Sequence, residues 1–242
     1  MDSSFRGRAP AKLWRLAEEK RSRLILALDS LGDNSSSTAR EGYLRKCLTL
    51  LEALEDLAVG VKIGLPLTLK IGFEGVAEIL ESFKRDFYMI ADFKLSDIPE
   101  IIQLTLSELR RIGFDAAITH LFQGGVPSIR RSLDLFGVVA MSHPSAKLIE
   151  ENFENLIREA VEAGVDGVVV GATKPDLLKR ARSLLPDKTI LSPGVVAQGA
   201  EPASALKSGG DFEIVGRALT RSPEPASSAR RILEAERSVV YR

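Results

Sequence analysis

Short apolar runs alternate with longer amphipathic stretches along most of the chain. Eight of these runs are rich in Val, Ile, Leu and Ala and read as strands: residues 24–29, 60–64, 87–94, 114–120, 136–142, 165–171, 188–194 and 211–216. Their starts are spaced about 22 to 36 residues apart, which leaves room for a helix after each run. The pattern therefore predicts a repeated strand–helix unit.

The stretches between the runs carry apolar residues at helical spacing. In residues 42–59, Leu44, Cys47, Leu51 and Leu54 recur at steps of three and four, as on one face of a helix. The other predicted helices are residues 73–83, 98–112, 148–163, 174–185 and 203–208. Residues 1–22 are predicted to form an N-terminal helical extension that covers one end of the fold, and residues 218–242 a C-terminal helix.

Alternating strands and helices predict a parallel sheet, because parallel strands need crossover connections. Strands this continuously apolar are buried on both faces. Eight such units in 242 residues match the size of a (β/α)8 TIM barrel, with its strands in residues 24–217 and one domain over residues 1–242. A doubly wound open sheet is the competing architecture.

Composition excludes several classes of protein. Apolar residues make up 45% and charged residues 27%, which is typical of a globular protein, and 33 basic residues equal 33 acidic ones, so no basic excess indicates nucleic acid. The sequence has no run of 18 apolar residues to span a membrane and no apparent signal peptide. A single cysteine, Cys47, permits no internal disulfide, and no cluster resembles a zinc site. We expect a cytoplasmic protein.

Polar residues mark the carboxyl ends of the predicted strands, where TIM barrels place their chemistry. They are Asp29, Lys62, Asp92, Lys94, His120, Ser142, His143, Ser192 and Arg217. The role of His120 is left open by the sequence.

The densest group lies in the segment IADFKLSDIPE, residues 90–100. Side chains alternate along a strand, so Asp92 and Lys94 share a face while Phe93 points away. Charges on the inner face of a barrel must neutralise one another, because burying an isolated charge is very costly. Asp97 follows in the loop or at the next helix start. The alternative interpretation is a structural ion cluster, with Asp97 as a plain helix cap.

A second group predicts an anion site. Backbone N–H groups at Gly216 and the forked guanidinium of Arg217 suit a phosphate. The loops after strands seven and eight are the usual phosphate site of TIM barrels, and here they include residues 193–199. The alternative is two ordinary turns with a surface arginine.

Six segments, in order along the chain, carry a resemblance to a known family: LALD at 26–29, VKIG at 61–64, DFKLSDIP at 92–99, MSHP at 141–144, SPGVVAQG at 192–199 and IVGR at 214–217. They resemble orotidine 5′-phosphate decarboxylase in its compact microbial or archaeal form. The third and fifth segments are the specific ones, and the others agree by position.

The resemblance implies a homodimer of (β/α)8 barrels that converts orotidine 5′-phosphate to UMP in pyrimidine biosynthesis, with no cofactor and no metal. It implies a charge network of Lys62, Asp92 and Lys94, completed by the partner subunit's Asp97. Lys94 would protonate C6 of the pyrimidine after CO2 leaves, and Asp92 would lie near the substrate carboxylate.

The resemblance also implies the substrate contacts. Asp29 and Lys62 would hold ribose hydroxyls, Ser142 the pyrimidine, and Gln198 and Arg217 the base and phosphate. The remaining implied contacts are Pro193, Gly194 and Gly199 in a closing loop, Gly216 at the phosphate, and the partner subunit's Ile98 at the pocket wall.

Two positions depart from the family pattern. Ile101 stands where a threonine that reaches a ribose hydroxyl of the neighbouring site is expected, and Val196 stands where a glycine is more usual in the loop. Both departures predict altered substrate affinity or loop closing, with the charge network intact.

Three other functions compete. A 3-keto-gulonate-phosphate decarboxylase or hexulose-phosphate synthase reuses the Asp-x-Lys-x-x-Asp strand with Mg2+, but an acidic residue is then expected in place of Lys62. A Schiff-base aldolase needs a neutral amine at Lys94 or Lys62, which flanking carboxylates oppose. A phosphate-binding barrel without catalysis is the third.

Overall fold

A computed structural model describes residues 9–29, 31 and 40–241. Its strands are β1 (Leu24–Leu28), β2 (Gly60–Gly64), β3 (Tyr88–Leu95), β4 (Ala116–His120), β5 (Asp134–Ala140), β6 (Gly167–Val170), β7 (Thr189–Pro193) and β8 (Phe212–Val215). Each strand pairs in parallel with the next, and β8 pairs with β1, so the sheet closes. The predicted TIM barrel is confirmed over the open sheet.

The helices surround this barrel. They are α1 (Ala11–Lys20), α2 (Arg40–Leu54), α3 (Leu65–Phe83), α4 (Pro99–Ile112), α5 (Lys147–Glu151), α6 (Phe153–Glu162), α7 (Pro175–Leu184), α8 (Ser204–Lys207), α9 (Arg217–Thr220) and α10 (Pro225–Val240), with a short 3-10 turn at Val126–Ser128.

Four predicted helices differ from the structure by more than two residues. The helix predicted at 42–59 runs from Arg40 to Leu54. The helix predicted at 73–83 is the second part of α3, which begins at Leu65 and is divided by a kink at Gly72, where the backbone is non-helical (φ 71°, ψ 168°). Residues 148–163 form two helices, α5 and α6, that meet at Asn152. The single C-terminal helix predicted at 218–242 is wrong, because α9 ends at Thr220 and α10 starts at Pro225, a residue suited only to a first helical turn.

Two apolar layers hold the barrel together. Alternate strand residues face outward and pack against the helices, and the others fill the interior. The interior layer includes Ile90, Phe136 and Phe212, and it continues into Leu13 and Trp14 of α1. Helix α1 therefore closes the amino-terminal end of the barrel, opposite the end where the polar strand termini lie.

Long-range hydrogen bonds fix α1 in this position. Trp14 Nε1 donates to Thr189 Oγ1 at 2.9 Å, and Tyr241 donates its hydroxyl to the Ala17 carbonyl at 2.9 Å. Lys20 Nζ donates to three backbone carbonyl groups, those of Glu55, Ala58 and Asp86. The extension is thus joined to strands and helices from both ends of the chain.

A buried carboxyl group lies beneath this end of the barrel. Glu236 is 0% exposed, and its Oε2 accepts the Arg23 N–H at 2.8 Å while its Oε1 has no hydrogen-bond partner among the described residues. Burial raises the pKa of Glu236 to about 8, the nearby Glu213 carboxylate adds to the effect, and the bond from Arg23 opposes it. Glu236 is therefore a neutral acid at pH 7.

This burial predicts a stability that falls as the pH rises. The folded pKa lies above the unfolded value, so the proton favours the folded state fully below about pH 4.5, and that contribution is lost as the pH rises to about 8. Glu236→Gln resembles the neutral acid and is expected to remove a few kcal/mol of this pH dependence. Urea unfolding at pH 5 and pH 8 measures it.

Glu234→Gln is the matched control for that measurement, because Glu234 lies exposed on the same helix. It should keep the pH dependence of the unmodified protein. An equal loss of stability between pH 5 and pH 8 in Glu236→Gln and in the unmodified protein would contradict the prediction.

Candidate active site

Four charged side chains meet where β1, β2 and β3 end. Lys62 Nζ lies 2.6 Å from Asp92 Oδ2 and 3.1 Å from Asp29 Oδ1, and Lys94 Nζ lies 2.8 Å from Asp92 Oδ1. Asp92 is thus held between two ammonium groups, and the row alternates in charge from Asp29 to Lys94. Two carboxylates and two ammonium groups make the row neutral.

Strand register brings these residues together. Lys62 pairs with Ile90 of β3 and Ala27 of β1, so its side chain shares the inner face with Asp92 and the end of β1. Gly64 leaves room for the row, because a Cβ at this position would collide with the Asp29 carboxylate. The prediction that Asp92 and Lys94 share a face is confirmed.

The backbone at Lys94 departs from a regular strand. Its φ is 44°, in the left-handed region that non-glycine residues rarely adopt, and the register of β3 with β4 shifts between Ala91 and Leu95. Phe93 meanwhile points outward and packs edge-on between Phe73 and Phe114. The bulge turns Lys94 toward the open end of the barrel, where its side chain is 42% exposed.

Mutual neutralisation keeps the buried members ionised. Burial alone would lower the pKa of Lys62, but the carboxylates of Asp92 and Asp29 outweigh it and raise that pKa above its ordinary value. Burial alone would likewise raise the pKa of Asp92, but Lys62 and Lys94 together lower it. Lys62 and Asp92 are therefore held in their charged forms at the centre of the row.

Asp97 and Ile98 do not join this row within one chain. Asp97 Oδ1 accepts the Ile98 N–H at 2.7 Å, at the start of α4, and both side chains are exposed. Ile98 is 59% exposed, and Ile101 and Leu104 on the same helix are also exposed. Leu65, Leu69 and Phe73 are exposed on α3, the helix before β3, and we call these exposed apolar residues of the two helices the α3–α4 surface.

A cavity of about 350 Å3 opens above the charged row. The predicted residues that line it are Asp29, Lys62, Asp92, Lys94, Ser142, Pro193, Gly194, Gln198, Gly216 and Arg217. Gly199 lies outside the lining, as do Asp97 and Ile98. The sequence therefore identified most of the polar lining, and the structure brings these residues together in one concave site.

The loop after β7 covers one side of the cavity. Arg217 Nη2 donates to the carbonyl of Ala197 at 3.0 Å, which joins the end of β8 to this loop. Gly194 (φ 105°) and Gly199 (φ 96°) take left-handed conformations that suit glycine, but Val196 does so too, at φ 61°. A β-branched residue in this region is strained, which is the physical reason a glycine would be easier here.

His120 lies at the end of β4, outside the cavity lining. Its ring packs 4.8 Å from that of Phe122, and its Nδ1 is buried without a partner among the described residues. Burial and the Lys94 ammonium lower its pKa, and Asp92 only partly offsets them. The imidazole is therefore neutral beside Lys94.

The sequence analysis missed two groups of lining residues. The first is the apolar part of the lining: Ala27, Ile118, Val138, Met141, Val169 and Ile214. Strand alternation from the polar termini could have identified most of them. The second is Thr220 and Arg221, which lie three and four residues after Arg217, a helical spacing that brings them to the same wall.

The described residues contain no group of three or more His, Cys, Asp or Glu side chains suited to hold a metal ion. Within residues 9–29, 31 and 40–241, no helix is both long and apolar enough to cross a membrane.

Comparison with known proteins places this site in context. The family model described as Orotidine 5′-phosphate decarboxylase / HUMPS family matches residues 22–232. The orotidine 5′-phosphate decarboxylase of Aeropyrum pernix is 38% identical over 222 residues, which cover 88% of this chain and 87% of that protein.

Solved structures of orotidine 5′-monophosphate decarboxylases are also similar to this chain. That of orotidine 5′-monophosphate decarboxylase from Metallosphaera sedula has a TM-score of 0.75 and 34% identity, covering 90% of this chain and 100% of that chain. The Methanocaldococcus jannaschii enzyme, complexed with the inhibitor BMP, has a TM-score of 0.76 and 28% identity, covering 88% and 98%.

Proposed function

The chain belongs to the orotidine 5′-phosphate decarboxylase / HUMPS family, and on this basis we propose that it is the carboxy-lyase that converts orotidine 5′-phosphate to UMP and CO2 in pyrimidine biosynthesis. The observation that carries the proposal is the alternating row from Asp29 to Lys94 at the floor of a cavity large enough for a nucleotide. The curated relatives bear the name of this enzyme.

Lys94 is the proposed acid. When the bond from C6 to the carboxylate breaks, CO2 leaves and the electron pair remains on C6. A fixed ammonium stabilises that developing negative charge, and it can then deliver a proton to C6 to give UMP. Lys94 regains its proton from water. Its partial exposure toward the cavity and its pairing with Asp92 support this role.

The other members of the row position Lys94 and the substrate. Asp92 would lie near the substrate carboxylate, and the repulsion between these two negative charges would fall as CO2 leaves. Lys62 holds Asp92 from the opposite side and, with Asp29, would bind ribose hydroxyls. The positions of Asp29 and Lys62 on the cavity wall support this assignment.

The loop after β7 and the end of β8 would bind the phosphate. Arg217 and the backbone at Gly216 offer donors to an anion, Gln198 would reach base and phosphate, and Ser142 would contact the pyrimidine. Binding energy from the phosphate can close the loop at residues 193–199 and exclude water from the reacting carbon.

A homodimer would complete the site. Asp97 and Ile98 are exposed at the same end of the barrel as Lys94, and they border the α3–α4 surface. An exposed apolar surface of this kind is typical of an interface. We assign the missing carboxylate beside Lys94 to the partner subunit's Asp97.

The test is turnover of orotidine 5′-phosphate, followed as the loss of substrate ultraviolet absorbance, with and without EDTA. We expect conversion to UMP that EDTA does not reduce, because the ammonium of Lys62 lies between Asp29 and Asp92 and would repel a divalent cation. Binding of UMP without any turnover would contradict the proposal, and loss of activity in EDTA would favour the sugar-phosphate enzymes of the family.

A further inference from the structure

The wall of the cavity beside Arg217 contains a buried hydroxyl group with which no other described residue forms a hydrogen bond. Thr220 is 9% exposed and lines the cavity, and its Oγ1 has no hydrogen-bond partner among the described residues. An unsatisfied buried hydroxyl costs about 1–3 kcal/mol, so its persistence calls for an explanation. A bound ligand at this wall would supply the missing acceptor.

A backbone carbonyl one helical turn back is available to this hydroxyl, but the hydroxyl does not donate to it. The Thr220 N–H donates to the Gly216 carbonyl at 3.1 Å, one helical turn back. Threonine in a helix commonly directs its hydroxyl to that same carbonyl. Thr105 in α4 does so, donating to the Ile101 carbonyl at 2.8 Å. Thr220 differs: its buried Oγ1 has no partner among the described residues, and the residue is part of the cavity wall.

Arg221 adds a cation beside this hydroxyl. It lines the cavity next to Thr220, is exposed, and forms no side-chain hydrogen bond or ion pair within the part of the chain that the structure describes. Arg217, by contrast, already donates to the Ala197 carbonyl. The uncommitted guanidinium at this wall is therefore that of Arg221.

We infer that the phosphate site is a two-arginine site, in which Thr220 Oγ1 donates a hydrogen bond to the phosphate and Arg221 contributes a second positive charge on the same wall as Arg217. The inference rests on the proposed function and deepens it. The Arg217 guanidinium also links the loop after β7 to the end of β8. Thr220 and Arg221, in contrast, would contact only the ligand. Two cations suit a phosphate dianion better than a monoanion.

The experiment compares binding of UMP and of uridine, which lacks the phosphate, by calorimetry. Thr220→Val removes the hydroxyl and keeps the shape, and Arg221→Gln removes the charge. Each is expected to weaken UMP binding by about tenfold and to leave uridine binding unchanged. Arg221→Gln should also reduce the loss of UMP affinity when the pH falls below about 6, where the phosphate gains a proton.

Two matched control variants distinguish an effect on phosphate binding from an effect on the protein structure. Thr220→Ser keeps the hydroxyl and should bind UMP as the unmodified protein does. Arg230→Gln removes the same charge from an exposed position on α10 outside the cavity and should leave UMP affinity unchanged.

The outcomes are distinct. UMP affinity left unchanged by both Thr220→Val and Arg221→Gln overturns the inference while leaving the proposed function intact. Equal weakening of UMP and uridine assigns both residues a structural role and also overturns it. An unmodified protein that binds UMP no better than uridine overturns the proposed function, and the inference with it.

Discussion

Replacing Lys94 by alanine is expected to reduce kcat for orotidine 5′-phosphate by about four orders of magnitude or more. The substitution removes both the ammonium that stabilises charge at C6 and the proposed proton donor, and each of these effects is worth about 10²–10⁴ in rate. Asp92 also loses one of its two partners, which leaves a buried carboxylate facing the substrate. Single-turnover kinetics with saturating substrate would measure the loss.

Affinity for UMP provides the check on that result. The phosphate wall lies on the loop after β7 and the end of β8, so Lys94→Ala should still bind UMP while failing to turn over substrate. Lys207→Ala, at an exposed position of α8, is the matched lysine control and should retain full activity. Activity of Lys94→Ala within tenfold of the unmodified protein would exclude Lys94 as the acid.

Mixing two inactive variants, Lys94→Ala and Asp97→Asn, is expected to restore activity. In the proposed homodimer each site takes Lys94 from one subunit and the partner subunit's Asp97. A mixed dimer then carries both substitutions in one site and neither in the other. Random exchange makes about half of the dimers mixed, so about a quarter of all sites become intact. Turnover measured before and after exchange gives the answer.

Each variant exchanged with itself is the control, and it should remain inactive. If the mixture gains nothing although mixed dimers form, Asp97 acts within its own chain or has no part in catalysis. Action of Asp97 within its own chain can be compared with the structure. There the Asp97 carboxylate accepts the Ile98 N–H and points toward the start of α4.

The strands were predictable because their signal is local. Buried parallel strands are continuous apolar runs, and the bounds of β2 coincide with the prediction while the others differ by one to a few residues at either end. Helix bounds were less predictable at α3, because the prediction found only the part after the kink at Gly72 and missed the part that begins at Leu65.

The polar floor of the site was also predictable, because the carboxyl ends of neighbouring strands must meet. The bulge that turns Lys94 was not, because no local pattern distinguishes a lysine at φ 44° from one in a regular strand. Thr220 and Arg221 were missed because they follow β8 in a short helix rather than ending a strand. The proposed role of Asp97 depends on the partner subunit of the proposed homodimer, which a single chain does not contain.

The position of α1 has a consequence for synthesis of the protein. Leu13, Trp14 and Leu16 are made first, but Trp14 bonds to Thr189, which is made 175 residues later, and Ala17 bonds to Tyr241. At about 5–20 residues per second, these apolar side chains remain without their native partners for roughly 10 to 35 seconds on the ribosome. Helix α1, which covers the amino-terminal end of the finished barrel, is thus the segment whose apolar side chains most need protection while the chain is being made.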